Sequence, residues 1–258
     1  MLHRLFARAT PPVDADAWAR LRALSPLLRT FEGDEATRLR ERANGFLKAK
    51  GIDAARDAPV GDFERQLIAA FAAIPVLELG LGWYGGWHGV IVYPDEFVAP
   101  HAFHDEAGVA HEGERVLAGE SWDRGPMILS LADVLGCARG DLLGNVVIHE
   151  CAHKLDQRNG EANGFPPLPA GMAAHAWTAA WQSAYDDLAR RVDAGEETAI
   201  DPYAAEEPGE FFAVLSEYFF AEPLVVADEY PGVYEQLRRF YGQDPARRPA
   251  PEYPEHEA

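Results

Sequence analysis

The chain has 258 residues, 48% hydrophobic and 25% charged, the composition of a soluble globular protein forming one large domain or two small ones. Its 42 acidic residues stand against 23 basic ones, a formal net charge of −19. Such a surface repels nucleic acid and anionic membranes, and it favours basic protein or peptide partners.

Two cysteines, Cys137 and Cys151, exclude a disulfide framework. No apolar run reaches the roughly 18 residues of a membrane span. The opening stretch from Met1 to Ala9 has too short an apolar region for a secretory signal before Pro11-Pro12. A cytoplasmic location is expected.

Residues 14 to 30 carry Trp18, Leu21, Leu24 and Leu28 at helical spacing, interrupted at Pro26. Residues 33 to 50 predict an amphipathic helix with Leu39, Ala43 and Leu47 as its stripe and Gly51 as a stop. Asp62 opens a third helix through Gln66, Leu67, Ala70 and Phe71. Residues 1–75 are thus expected to be a helical scaffold without chemistry of its own, forming one compact unit with the region over 76–243.

Between Val76 and Val134 the character changes. Gly80-Leu81-Gly82 and Gly85-Gly86 punctuate apolar and aromatic residues, and Gly89 to Tyr93 reads as a strand. Arg115 to Trp122 and Gly125 to Leu131 read as two more, turning at Asp123-Arg124-Gly125. They predict a small mixed sheet, whose edge can hold an extended peptide by backbone pairing. His101, His104 and His111 fall in a stretch that reads as polar loop without ligand periodicity, so they are expected to be solvated rather than a second metal site.

Val146 to Asp156 is the stretch that carries chemistry. It contains H-E-x-x-H as His149-Glu150-Cys151-Ala152-His153, after an apolar Val-Val-Ile lead-in. On a helix, positions four apart share a face, so both imidazoles can grip one tetrahedral ion and leave other positions open. Glu150 projects beside the metal, where a general base is needed to take a proton from water. Cys151 points away from the ligand face and is expected in the core. Asn159-Gly160 and Asn163 to Pro167 then form a loop. Residues 172 to 194 predict a helix whose stripe, Trp177, Trp181, Tyr185, Leu188 and Val192, is core packing, with His175 structural. Asp201-Pro202-Tyr203 and Glu206 to Gly209 lead into a very apolar helix, Glu210 to Phe220. A short helix from Val233 to Tyr241 precedes an acidic, proline-rich tail over 244–258, expected to be disordered.

A catalytic zinc needs a third protein ligand, and several carboxylates compete. Asp156 shares the histidines' face but lies nearly a turn beyond His153 on the same helix, which suits a supporting or helix-terminal role. Glu206 and Glu207 can be surface charge. Glu210 and Glu217 stand about 10 Å apart along one helix, too far to bind one ion together. Glu210, in the first turn after Pro208-Gly209, can reach a second helix. Glu217 is left to orient His149 or His153 by accepting the other ring N–H.

With these segments in view, the chain resembles the Mlc titration factor A family of zinc peptidases. The likeness rests on His149 to Asp156, on Glu210 to Phe220, and on Gly119-Glu120-Ser121-Trp122 with Gly125-Pro126. The catalytic region of anthrax lethal factor is similar in its H-E-x-x-H helix and Glu-Phe-Phe-Ala segment. The resemblance implies a cytoplasmic, zincin-like peptidase with aminopeptidase-like activity on small substrates. It also implies binding to Mlc, a repressor of glucose-uptake genes. Carried over, His149, His153 and Glu210 become zinc ligands and Glu150 the base. Tyr203 matches a tyrosine near the metal that can stabilise an oxyanion.

The expectation is an α+β, mainly helical, zincin-like metallopeptidase with its small mixed sheet beside the metal-binding helix and one zinc per chain. A peptide or protein substrate and a Mlc-type repressor are the expected partners, with neither nucleic acid nor membrane. The rival readings are a regulatory protein that sequesters a repressor, with hydrolysis secondary, and a non-catalytic zinc-stabilised domain.

Overall fold

A computed structural model describes residues 10–95, 97–104, 110–117, 119–121, 125–142 and 144–252, with backbone alone for the segments between 97 and 121. In chain order these residues form α1 (Ala15–Leu24), α2 (Pro26–Arg29), α3 (Gly33–Ala49), β1 (Gly51–Ala54), α4 (Asp62–Ala73), β2 (Gly89–Tyr93), β3 (Phe97–His104), β4 (Ala110–Leu117), β5 (Gly119–Ser121) and β6 (Met127–Ser130). There follow α5 (Leu131–Arg139), α6 (Val146–Asp156), α7 (Ala174–Asp193), α8 (Pro208–Ala221), α9 (Pro223–Glu229) and α10 (Pro231–Tyr241). The fold is α+β and mainly helical.

Local chemistry sets the boundaries. Asp14 caps α1 by accepting from Ala17 N–H, and Ser25 ends that helix and caps the next by accepting from Leu28 N–H. Pro26 can begin a helix but not continue one, hence the break. Asn145 caps α6 by accepting from the N–H groups of Val147 and Ile148.

One sheet has the strand order β1-β2-β6-β5, parallel across the first three and antiparallel at the edge strand β5. The register sets Val90 against Met127 and Ile128 against Glu120. β5 and β6 pack beside α6, so the sheet's edge runs next to the helix that carries His149 and His153. The core is continuous: Leu21, Phe46, Leu67, Val90, Ile148, Trp177, Phe212 and Phe240 belong to one buried cluster. The N-terminal helices therefore share their apolar face with the helices of the candidate site.

Several expectations are corrected. α3 closes at Lys50, just before Gly51 as expected, but Gly51 also opens β1, a strand that was not expected and has only Ile52 buried, hence no apolar signal. The segment with His101, His104 and His111 is not loop. It forms an antiparallel ribbon, β3 with β4, in which His101 pairs with Gly113 and Phe103 with His111. Pro100 and the histidines interrupt the apolar residues of β3, and charged residues fill the middle of β4, so no period-2 alternation marks the ribbon. The single strand expected over 115–122 divides between β4 and β5. Asp123 and Arg124 of the expected turn lie outside the described residues. α5, capped by Ser130 and closed by Gly140 at φ 80°, and α9, opened by Pro223, were not anticipated. His175 stands exposed on α7 rather than in a structural position.

Residues 244–252 are packed, not disordered. Arg248 grips Glu35 through two hydrogen bonds of 2.6 and 3.1 Å and lies over the Phe31 ring, while Arg29 donates to the Glu252 carbonyl. Composition reads the local sequence; this contact spans more than two hundred residues. The rest of the tail, 253–258, lies outside the described residues.

Candidate metal centre

α6 is buried on almost every side, and α8 crosses it with Phe211, Phe212 and Leu215 in the core. Pro208 fixes the first turn of α8, so Glu210 leaves the helix start towards α6. Two glycines make the close approach possible. A Cβ on Gly209 would meet Ala162 O at 2.9 Å, and one on Gly164, whose φ is +75°, would meet Pro208 O at 2.6 Å. Asp156 holds the same loop by accepting from Gly164 N–H at 2.7 Å.

Three atoms from these two helices converge. His149 Nε2 and His153 Nε2 are 3.1 Å apart, and Glu210 Oε2 lies 3.1 Å from the first and 3.3 Å from the second. Ligands about 2.0–2.1 Å from a tetrahedral ion are separated by roughly 3.3–3.4 Å, so this triangle has nearly the edge lengths of a metal shell. Glu210 Oε2 is buried and makes no aligned hydrogen bond among the described residues. Two nitrogens and a carboxylate oxygen turned on one point, with no bond satisfying the oxygen, fit a cation between them.

Residues 3–242 match the family described as glucose-regulated metallo-peptidase M90. The chain belongs to that M90 family. Proteins named Mlc titration factor A from Escherichia fergusonii and Edwardsiella ictaluri are 38% and 40% identical to it. The alignments cover 94% and 93% of this chain, and 91% and 93% of the relatives. A third so named, from Pectobacterium atrosepticum, is 40% identical over 86% of the chain and 84% of its own length.

In this M90 member the remaining predicted residues are distributed around the triangle. Glu217 Oε1 lies 2.7 Å from His149 Nδ1, and Glu217 Oε2 accepts from Asn145 N–H at 2.6 Å. The same carboxylate thus touches the first histidine and the start of its helix. Glu150 is 3% exposed, and its Oε2 has no partner among the described residues. Tyr203, in a 3-10 turn over Pro202–Ala205, sets its ring centroid 6.3 Å from that of His149. Asp156 is fully buried at the end of α6 and is not in the converging group. Glu206 and Glu207 are exposed. Sequence reasoning missed Asn145, although Asn before an apolar helical run is a start signal, and Gly164, whose loop has no local signature.

The electrostatics follow from this crowding. Burial opposes the imidazolium of His149, yet Glu217, Glu210 and Glu150 together hold its pKa well above the usual value. Burial alone would raise Glu210, but the two imidazoles outweigh it and hold that carboxyl below the ordinary range. Burial lifts Glu150 above its usual value, against the pull of His153 and His149. Among the described residues no helix is long and apolar enough to cross a membrane.

Proposed function

We propose that the chain is a zinc-dependent peptidase in which His149, His153 and Glu210 hold the ion. The observation that carries this reading is the triangle of lone pairs, 3.1 to 3.3 Å on a side, beside a buried acid. Two imidazoles and one carboxylate are a donor set suited to zinc. When bound, the ion contributes Lewis acidity, acidifying a water molecule and polarising the carbonyl under attack. Glu150 takes a proton from that water and delivers it to the departing amine. Its raised pKa makes it a stronger base than an exposed glutamate. Glu217 accepts from His149 Nδ1–H, which leaves the Nε2 lone pair for the ion. Tyr203 is assigned to the developing oxyanion, a role supported by its nearness to His149. Asp156 supports Glu210 through the Gly164 loop. The edge strand β5 offers backbone groups to an extended peptide. Aminopeptidase-like cleavage of small peptides is the specificity that family resemblance implies. A cytoplasmic location is supported by two free, buried cysteines.

The test is Glu150→Gln. The variant should retain about one zinc per chain and lose roughly 10²–10⁴-fold in peptide hydrolysis, since the base is not a ligand. Undiminished hydrolysis removes Glu150 from the mechanism.

The relatives' name, Mlc titration factor A, favours a second role: binding a repressor of the Mlc type. This role need not use the metal, and a surface in a chain of net charge −19 suits a basic partner.

A further inference from the structure

A cavity of about 690 Å³ opens beyond the C-terminal end of α6, walled by the Gly82–Gly86 turn, Trp87, Lys154 and Arg158. Its volume is in the range of small-molecule sites, about 300–1,000 Å³. None of the three converging ligands lines it. In a chain of net charge −19 its described lining contains two cations and no acid, the rest being glycines, amides and Trp87. We propose that this cavity binds a small oxyanion, a carboxylate or a phosphate.

Two cations in the wall carry the assignment. Lys154 is 4% exposed, and its ammonium lies 3.1 Å from Gly125 O and 5.7 Å from the centre of the Trp87 ring. Arg158 is anchored by one nitrogen, Nη1, to the carbonyls of Gly82 (3.1 Å) and Trp83 (2.7 Å) and stacks over the Trp83 ring. It has no carboxylate partner among the described residues, so its charge is held in place without being neutralised. Trp87 is 3% exposed, and its indole N–H is buried without an acceptor among the described residues. The Trp87 ring stands in the cavity wall beside Lys154, where it reports on an anion bound there. The glycines add access: Gly86 has φ +103°, and around Gly82 an added Cβ meets nothing within 4 Å, so backbone stands open to the cavity.

Lys154 follows Glu150 by one helical turn, so an anion held here lies on the acid's side of α6. The oxyanion is therefore either the carboxylate of a peptide substrate or a free phosphate. The first source rests on the peptidase reading, whereas the site's chemistry does not.

The test uses the zinc-loaded protein with its tryptophan indoles labelled with ¹⁵N. The Trp87 resonance is identified by its loss in Trp87→Phe. The probes are inorganic phosphate, an N-blocked dipeptide with a free carboxylate, and the same dipeptide as its amide, with chloride as the ionic-strength control. The Trp87 resonance should move with phosphate or with the carboxylate dipeptide, and not with the amide. Movement with phosphate alone identifies a free anion, and movement with the dipeptide alone identifies a substrate end; either supports the site. Arg158→Gln should weaken the binding by about tenfold or more, as expected for a lost bond to a charged group. Gly82→Asp, which adds a carboxylate to the wall at a position where a Cβ meets nothing within 4 Å, should weaken it as well. The proposal is overturned if no probe moves Trp87, if the amide moves it as strongly as the carboxylate, or if both variants bind as wild type does. Since no hydrolysis is read, failure here leaves the peptidase reading standing, and failure of that reading leaves this one testable.

Discussion

Replacing Glu217 with glutamine removes one charge and converts one of two acceptor oxygens into a donor. In the native site Oε1 faces His149 Nδ1 at 2.7 Å and Oε2 accepts from Asn145 N–H at 2.6 Å. A glutamine serves only one of these groups, and the other N–H then faces an amide N–H. The backbone N–H of Asn145 has no alternative, whereas a neutral imidazole can move its proton to Nε2. The loss should therefore fall on His149, whose proton would then point at the metal position. A lost charge-assisted hydrogen bond amounts to about 1.5–3 kcal/mol, or roughly 10–150-fold in an equilibrium constant. Zinc affinity, measured by competition with a chromophoric chelator at one pH, should fall by about 10–100-fold. Because Glu217 also helps to hold the proton on His149 in the metal-free protein, that form of the variant should unfold more readily as well. Indistinguishable zinc affinities, or an unfolding change with no metal effect, would refute the tautomer argument.

The other expectations follow from the same geometry. Glu210→Gln should weaken zinc binding more than Glu217→Gln or Asp156→Asn, because Glu210 alone of the three is in the converging group; equal retention moves the third ligand elsewhere. Zinc must displace the proton that the surrounding carboxylates hold on His149, whose pKa is raised. Binding at neutral pH should thus release about one proton, and affinity should rise with pH up to that raised pKa; calorimetry in buffers of different ionisation enthalpy reads this directly. Burial pushes the thiols of Cys137 and Cys151 up to about 12, so at pH 8 only roughly one in 10⁴ is thiolate. Native protein should resist alkylation at both and react after unfolding, and rapid native labelling would contradict their burial. Glu150→Gln should bind a Mlc-type repressor as wild type does, more weakly as salt rises; loss of binding in the folded, zinc-loaded variant places the repressor at the metal centre.

How much of this was legible follows from where the information lies. Helices with a buried stripe, such as α3 and α7, write their period into the sequence, and Gly89 to Tyr93 writes the strand β2. Strand β1, with one buried residue in four, and the β3–β4 ribbon, without period-2 alternation, write nothing. The H-E-x-x-H spacing is local to one helix, so His149, Glu150 and His153 can be read together. That Glu210 rather than Glu217 meets them depends on how α8 crosses α6, and this depends on Gly164 and Gly209 letting two backbones touch. No periodicity carries that fact. The docked segment 244–252 was misread for the same reason, since its partners Glu35 and Phe31 are remote in sequence.

The central claim is that one metal ion is held between α6 and α8. An anomalous difference map of crystals of the zinc-loaded protein, collected at the zinc edge, tests it most directly. The account predicts one strong peak at about 2.0–2.2 Å from each of His149 Nε2, His153 Nε2 and Glu210 Oε2. A peak held by other side chains, or no peak in fully zinc-loaded protein, would contradict it.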